Sequence, residues 1–168
     1  MSTPDRTRHV DAPTALDELD RSVLGLFTAE PRIGVLEVSR RLGVARGTVQ
    51  TRLDRLQRSG IVTGWAPDIS TSALGYPVTA FVTVEVAQDG TREALTDHLA
   101  TIPELLECWT ITGSGDLWCR IVARSNADLQ RVLDALSAHP TVARTSTLIG
   151  LAEQIPFRTE PLVQGVGA

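Results

Sequence analysis

Two short stretches of this 168-residue chain gather side chains able to recognise charged partners. The first is ARGTVQTRLDRLQRSG, Ala45 to Gly60, where four arginines stand against one aspartate. Arginine grips phosphate oxygens and guanine edges, while glutamine and small polar side chains bond base edges in a groove. On that chemistry Gln50 and Thr51 are assigned to base edges, with Gly47 and Thr48 forming a small, polar leading end. Arg46, Arg52, Arg55 and Arg58 are assigned mainly to phosphates. Against this stands the commoner fate of an arginine-rich helix taken alone, a solvated face, and Asp54 on the exposed side opposes a purely electrostatic surface. The second stretch is TGSGD, Thr112 to Asp116. Backbone N–H groups around Gly113, Ser114 and Gly115 suit a carboxylate, and Asp116 suits an ammonium, so the set matches an amino-acid zwitterion. Taken alone, the same five residues read as a hairpin turn.

The elements that must position these groups follow from periodicity. Residues 1–13 read as a polar tail. A helix then starts with Thr14 as N-cap and Asp17 three positions on, a weaker capping box, with Leu16, Leu19, Val23, Leu26 and Phe27 as its apolar stripe. Pro31 ends it. A short second helix turns Val35, Val38 and Leu42 inward and stops at Gly43. In the third, Val49, Leu53 and Leu56 build the buried face, Gly47, Gln50, Thr51, Asp54, Arg55 and Arg58 lie opposite, and Arg46 and Arg52 flank. Gly60 caps that helix, and IVTGW reads as a small strand and turn, the wing of a winged helix-turn-helix over 14–65. APDISTSALGYP, 66–77, reads as a linker. From residue 78 to 155 the period changes to two in VTAFVTVEV, and the order becomes β-α-β-β-α-β, a ferredoxin-like domain. Residues 156–168 read as a loose tail. The fold class is therefore α+β.

Charge and rarer residue types narrow the function. Residues 1–75 carry ten arginines against nine acids, whereas 76–168 carry six against eleven. Within 32–58 seven arginines face only Glu37 and Asp54, a local +5 that attracts phosphates although the whole chain is at −4. Cys108 and Cys119 have no metal-ligand spacing; in a hairpin they lie diagonally on one sheet face and read as buried thiols rather than a disulfide. His9, His98 and His139 are dispersed, so no metal is expected. No apolar run approaches the roughly 18 residues of a membrane span, and the start lacks a signal-peptide pattern, so a cytoplasmic protein with no membrane partner is expected. There is no cofactor motif and no cluster of catalytic type, so an enzyme is not expected.

Several motifs together resemble the leucine-responsive/asparagine regulator (Lrp/AsnC) family: LDELDRSVLGLF, RLGVARGTVQTRLDRLQRSGIVTGW, LGYPVTAFVTVEV, TITGSGDLWCRIVA, and the closing Pro140, Val142 and Thr147. The similarity covers about residues 15–155. It implies an N-terminal domain binding double-stranded DNA and a C-terminal domain that senses an effector, usually an amino acid, and assembles with itself. Members form dimers through the C-terminal sheets, often four dimers in a ring, with the effector held where dimers meet. The resemblance moves Gly113 and Asp116, with Thr112, Ser114 and Gly115, from turn to effector contacts, and adds Thr147, Leu148 and Ile149 on the last strand. It also marks departures. Ala45 stands where relatives usually carry a capping serine, and Gly115, Leu117 and Leu148 replace aromatic residues, which implies a roomier, less polar pocket. Two further readings use the same architecture. One is an architectural DNA-binding protein without an effector. The other is a sirohaem-decarboxylase-like enzyme, which the scarcity of histidine and the complete recognition helix oppose.

Overall fold

Helix α1 (Glu18–Ala29) opens on a reciprocal carboxylate cap. The Asp17 side chain accepts from the Asp20 N–H at 2.8 Å, and the Asp20 side chain accepts from the Asp17 N–H at 3.1 Å. This box satisfies two donors that a helix start otherwise leaves open. Thr14, the cap expected from sequence, lies outside the described residues, and the cap belongs to Asp17 because a second acid follows it at the third position. The computed structural model describes residues 15–87 and 92–165. These fall into two units, one running to Asp68 and resuming at Pro156, the other Ile69–Ile155.

In the first unit α2 (Val35–Leu42) and α3 (Arg46–Arg58) end in the same way. Gly43 (φ 65°) and Gly60 (φ 74°) take the left-handed conformation that suits glycine. Around them, Val44 N–H bonds Ser39 O at 3.0 Å and Ile61 N–H bonds Leu56 O at 3.0 Å. Both are Schellman closures, and they fix the turn into α3 and the exit from it. Val23, Val38, Val49 and Leu53 form the buried centre, with Leu19, Leu26, Phe27, Val35 and Leu42 packed around it. The wing differs from expectation. Ile61 and Val62 N–H groups both bond the Leu56 carbonyl, so residues 61–65 are drawn into the helix end and form no strand.

The end of the chain also differs. Residues 156–168, read as a loose tail, include helix α6 (Glu160–Gly165), and Val163 packs on the cluster of Leu16, Leu24 and Leu56. One apolar contact in six residues is too short a pattern to show as a helical stripe.

In the second unit β1 (Val78–Val86), α4 (Arg92–Ala100), β2 (Leu105–Thr110), β3 (Leu117–Ala123), α5 (Asn126–Ser137) and β4 (Val142–Gly150) follow the expected order. The sheet runs β2-β3-β1-β4, antiparallel throughout. Ala80, Val82, Val84, Leu117, Cys119 and Ile121 face Leu95, Leu99, Ile102, Leu129, Val132 and Leu136 from α4, α5 and the turn after α4. Residues 70–76, within the stretch read as a linker, form a turn closed by Tyr76 N–H on Thr71 O at 2.9 Å. Tyr76 then packs under Arg124, whose guanidinium sits 5.0 Å from the ring centre and donates to the hydroxyl at 3.1 Å. The other sheet face, carrying Phe81, Trp118, Trp109 and Leu148, is covered by no helix of this unit; Trp109 and Leu148 are 59% and 68% exposed.

Two pairings correct the sequence reading. Cys108 and Cys119 stand directly opposite each other rather than diagonally, and Cys108 is exposed because β2 is an edge strand. His98 and His139, distant in sequence, have ring centres 5.2 Å apart. Among the described residues no group of three or more metal-ligating side chains forms.

Candidate nucleic-acid interface and ligand loop

Ala45 is the N-cap of α3 and makes no side-chain cap bond. Only its carbonyl contributes, accepting from Thr48 and Val49 N–H at 3.0 and 3.3 Å. The absent hydroxyl typically costs ~1 kcal/mol of helix stability, and the helix start keeps its positive end open. Val49, Leu53 and Leu56 are buried, while Arg46, Gly47, Thr48, Gln50, Thr51, Asp54 and Arg58 are exposed. The two-sided division predicted from spacing therefore holds for these positions. Asp54, rather than merely opposing the arginines, accepts from the Gln50 amide at 2.8 Å and fixes its orientation.

Arg52 and Arg55 are placed otherwise. Arg52 donates to the Asp17 carboxylate and, at 3.0 Å, to Asp20; Arg55 donates to the other Asp20 oxygen. Asp20 is fully buried. Both guanidinium groups thus tie α3 to α1, a contact that the reading of this pair as phosphate grips did not foresee. The reason is spacing. Acids three apart on α1 meet arginines three apart on α3, and each pair lies on one helix face. The Asp-x-x-Asp and Arg-x-x-Arg matching was visible in the sequence as a signal, but it names no partner until the helices are docked. Arg41 is likewise held, by Glu30 and by Glu37 at 3.1 Å. Counting Asp17, Asp20 and Glu30 lowers the local balance over 32–58 from +5 to +2. Among the described residues Arg46 and Arg58 are in no ion pair.

The cluster has an electrostatic signature. The Arg52 guanidinium, with the Asp20 N–H, holds Asp17 at about 2 instead of 3.8. For Asp20, burial pushes upward, but the bonds from Arg55, Arg52 and the Asp17 N–H together outweigh it and leave its pKa lowered.

In the second unit the loop Thr112–Asp116 is pinned to the end of β1. Asp116 N–H bonds Val84 O at 2.8 Å, and the Asp116 carboxylate accepts from Val86 N–H at 2.8 Å. The carboxylate expected to receive an ammonium therefore already anchors its own loop. Gly115 has φ 109°, and a Cβ there would lie 3.3 Å from Thr83 Cβ and 3.4 Å from Val84 O. The aromatic side chain absent at this position would not fit this backbone. Thr147, Leu148 and Ile149 pair with Val82, Phe81 and Ala80, while Leu117, next to Asp116, pairs with Val84. Gly115 lies against Thr83, which pairs with Ser146 beside the triplet, so the loop and the triplet flank the same stretch of β1. The triplet splits between faces, Leu148 on the uncovered one.

A helix-turn-helix with an open recognition face, followed by a separate sheet unit, defines a DNA-binding protein with a sensing domain. Residues 16–63 match the winged helix-turn-helix DNA-binding family model, and residues 79–159 match the Lrp/AsnC ligand-binding domain. The chain is 30% identical over 136 residues to the HTH-type transcriptional regulator FL11 of Pyrococcus horikoshii, covering 81% of this chain and 89% of that protein. The structure of Escherichia coli AsnC superposes with a TM-score of 0.81 at 26% identity, covering 88% of this chain and all of that one. A Neisseria meningitidis transcriptional regulator in complex with L-Met gives a TM-score of 0.77 at 25% identity, covering 83% and 92%. The chain belongs to the Lrp/AsnC family of transcriptional regulators. Among the described residues no helix is long and apolar enough to cross a membrane.

The acid cluster yields a prediction. Because both folded carboxylates titrate below their unfolded values, their contribution is complete above about pH 4 and is lost as pH falls toward 2. Urea unfolding followed from pH 6 down to pH 2 is expected to show wild type losing stability more steeply over this window than Arg52→Ala. Equal slopes would remove the ion-pair assignment.

Proposed function

We propose that this chain is a cytoplasmic regulator, not an enzyme, that binds pseudo-palindromic double-stranded DNA as a dimer or assembly of dimers and responds to an amino acid. The observation carrying the DNA assignment is the two-sided α3, anchored by Val49, Leu53 and Leu56 and open at Arg46, Thr48, Gln50, Thr51 and Arg58. In this reading Gln50, Thr51 and Thr48 meet base edges and Arg46 and Arg58 grip phosphates. Arg52 and Arg55 act by holding the helix in place. Two-fold symmetry sets half-sites about one helical turn apart, ~10 bp, or a multiple of it.

Gel-shift titrations on the upstream region of its own gene test the assignment. Arg46→Ala and Arg58→Ala are each expected to weaken binding and to reduce the salt slope by about 1, with the thermal midpoint unchanged. Arg52→Ala should lower the midpoint as well, since it removes one of the two guanidinium partners of the buried Asp20 carboxylate. If the Arg46/Arg58 double variant binds as wild type does, with the same salt dependence, α3 is not the reading surface.

Self-association is assigned to the uncovered sheet face, where Phe81 and Trp118 stack at 5.4 Å between exposed Trp109 and Leu148. Four dimers in a ring would be the next level. Leu148→Asp is expected to reduce the light-scattering mass to that of one chain; retention of the wild-type mass would move the interface elsewhere.

The exposure of Leu148, on the uncovered sheet face assigned to self-association, supports an effector held where copies meet. The Neisseria relative in complex with L-Met supports an amino acid as the class. A thermal-shift screen of the common amino acids at millimolar concentration is expected to raise the midpoint for at least one, since a ligand that favours the folded state stabilises it. Asp116→Asn should abolish that shift. The Asp116 bond to Val86 favours a second reading, an effector-independent architectural protein, and a screen without any shift would select it.

A further inference from the structure

The hairpin below the ligand loop contains a pair of thiols in contact. Cys108 on β2 and Cys119 on β3 are directly opposite, with Sγ atoms 3.7 Å apart. The ladder around them fixes the type of pair. Ile111 N–H bonds Asp116 O at 3.0 Å, and the register continues through Thr110–Leu117 and Trp109–Trp118 to Cys108–Cys119. Alternation along an antiparallel ladder makes the cysteines a non-hydrogen-bonded pair, the kind whose Cα atoms approach to about 4.5 Å. That separation falls inside the range a disulfide bridges, about 4.4–6.8 Å. Closing the bond requires side-chain rotation rather than a shift of register.

The two thiols differ in environment. Cys108 is exposed on the edge strand, whereas Cys119 is fully buried in the core between sheet and helices. The Cys119 S–H donates to the Cys108 sulfur. That donated bond lowers the pKa of Cys108 from the ordinary thiol value, against an opposing push from burial. The same contact, and then burial, holds Cys119 above it. An exposed sulfur in contact with a second, buried thiol is the arrangement of a redox-sensing cysteine and its resolving partner.

We propose that Cys108 and Cys119 are a redox modification site, a dithiol that a hydroperoxide converts to an intrachain disulfide across β2 and β3. The Cys108 thiolate attacks the terminal peroxide oxygen. The O–O bond breaks, the leaving oxygen departs as water or an alcohol after taking a proton, and Cys108 becomes a sulfenic acid. Cys119 sulfur then attacks Cys108 sulfur; the S–S bond forms, the S–O bond breaks, and hydroxide leaves with the Cys119 proton as a second water. Two thiols lose two electrons, and the peroxide gains them. The product staples the hairpin three rungs below the Ile111–Asp116 bond, stiffening the strands from which the ligand loop springs.

The test uses the full-length reduced protein treated with hydrogen peroxide, unfolded, and assayed for free thiols and intact mass. The expected result is loss of both thiols and of two hydrogens, in a monomeric chain on non-reducing gels, fully reversed by dithiothreitol. Cys119→Ala should let a dimedone-type reagent trap Cys108 as its sulfenic acid, and Cys108→Ser should leave Cys119 unreacted. Retention of both thiols by the wild-type chain overturns the proposal. So does a disulfide only between chains, or oxidation of Cys108 to sulfinic acid with Cys119 still free.

Discussion

The placement of the recognition helix rests on one buried carboxylate. Asp20 sits at 0% exposure under α3, capping its own helix on one side and receiving Arg52 and Arg55 on the other. A buried charge left without partners costs several kcal/mol, so Arg52 and Arg55 cannot both turn away without leaving Asp20 with no cationic partner. The same contacts choose which part of α3 remains outside. With Arg52 and Arg55 held against α1, the outward face is left to Arg46, Gly47, Thr48, Gln50, Thr51, Asp54, Gln57 and Arg58. A single choice of ion-pair partners thus fixes the helix and leaves two of its four arginines, Arg46 and Arg58, without an ion pair among the described residues.

This division explains where the sequence could be read and where it could not. Apolar spacing located α3 and its buried residues, because burial at i, i+4 and i+7 is a local property of one helix. It also located the ferredoxin-like unit, since alternation in VTAFVTVEV and the turn at GSGD constrain a sheet through short-range chemistry. The fate of Arg52 and Arg55 was hidden because their partners lie more than thirty residues away, on another helix. The wing failed as a strand for a similar reason. A backbone that can bond the Leu56 carbonyl does so, and hydrophobic residues such as Ile61 and Val62 carry no mark of that choice.

The ligand loop offers a different lesson. TGSGD taken alone reads as a turn and by resemblance as effector contacts, yet neither reading shows that Gly115 lies against the β1 backbone and that Asp116 caps Val86. Both facts concern the end of a strand thirty residues earlier. They tie the glycine at this position to the close approach of the β1 backbone, beside the strand that carries Thr147, Leu148 and Ile149.

Helix α6 changes the topology of the molecule. Residues 69–155 are inserted between two segments of the same folding unit, since Val163 completes the cluster of Leu16, Leu24 and Leu56. On a ribosome the chain emerges from its N-terminal end, so the DNA-reading half is made first and finished last. The sheet unit can complete its own core while Leu16, Leu24 and Leu56 still wait for residues 160–165. The centre of Val23, Val38, Val49 and Leu53 needs no residue of α6, so it is this second, smaller cluster alone that depends on residues 160–165.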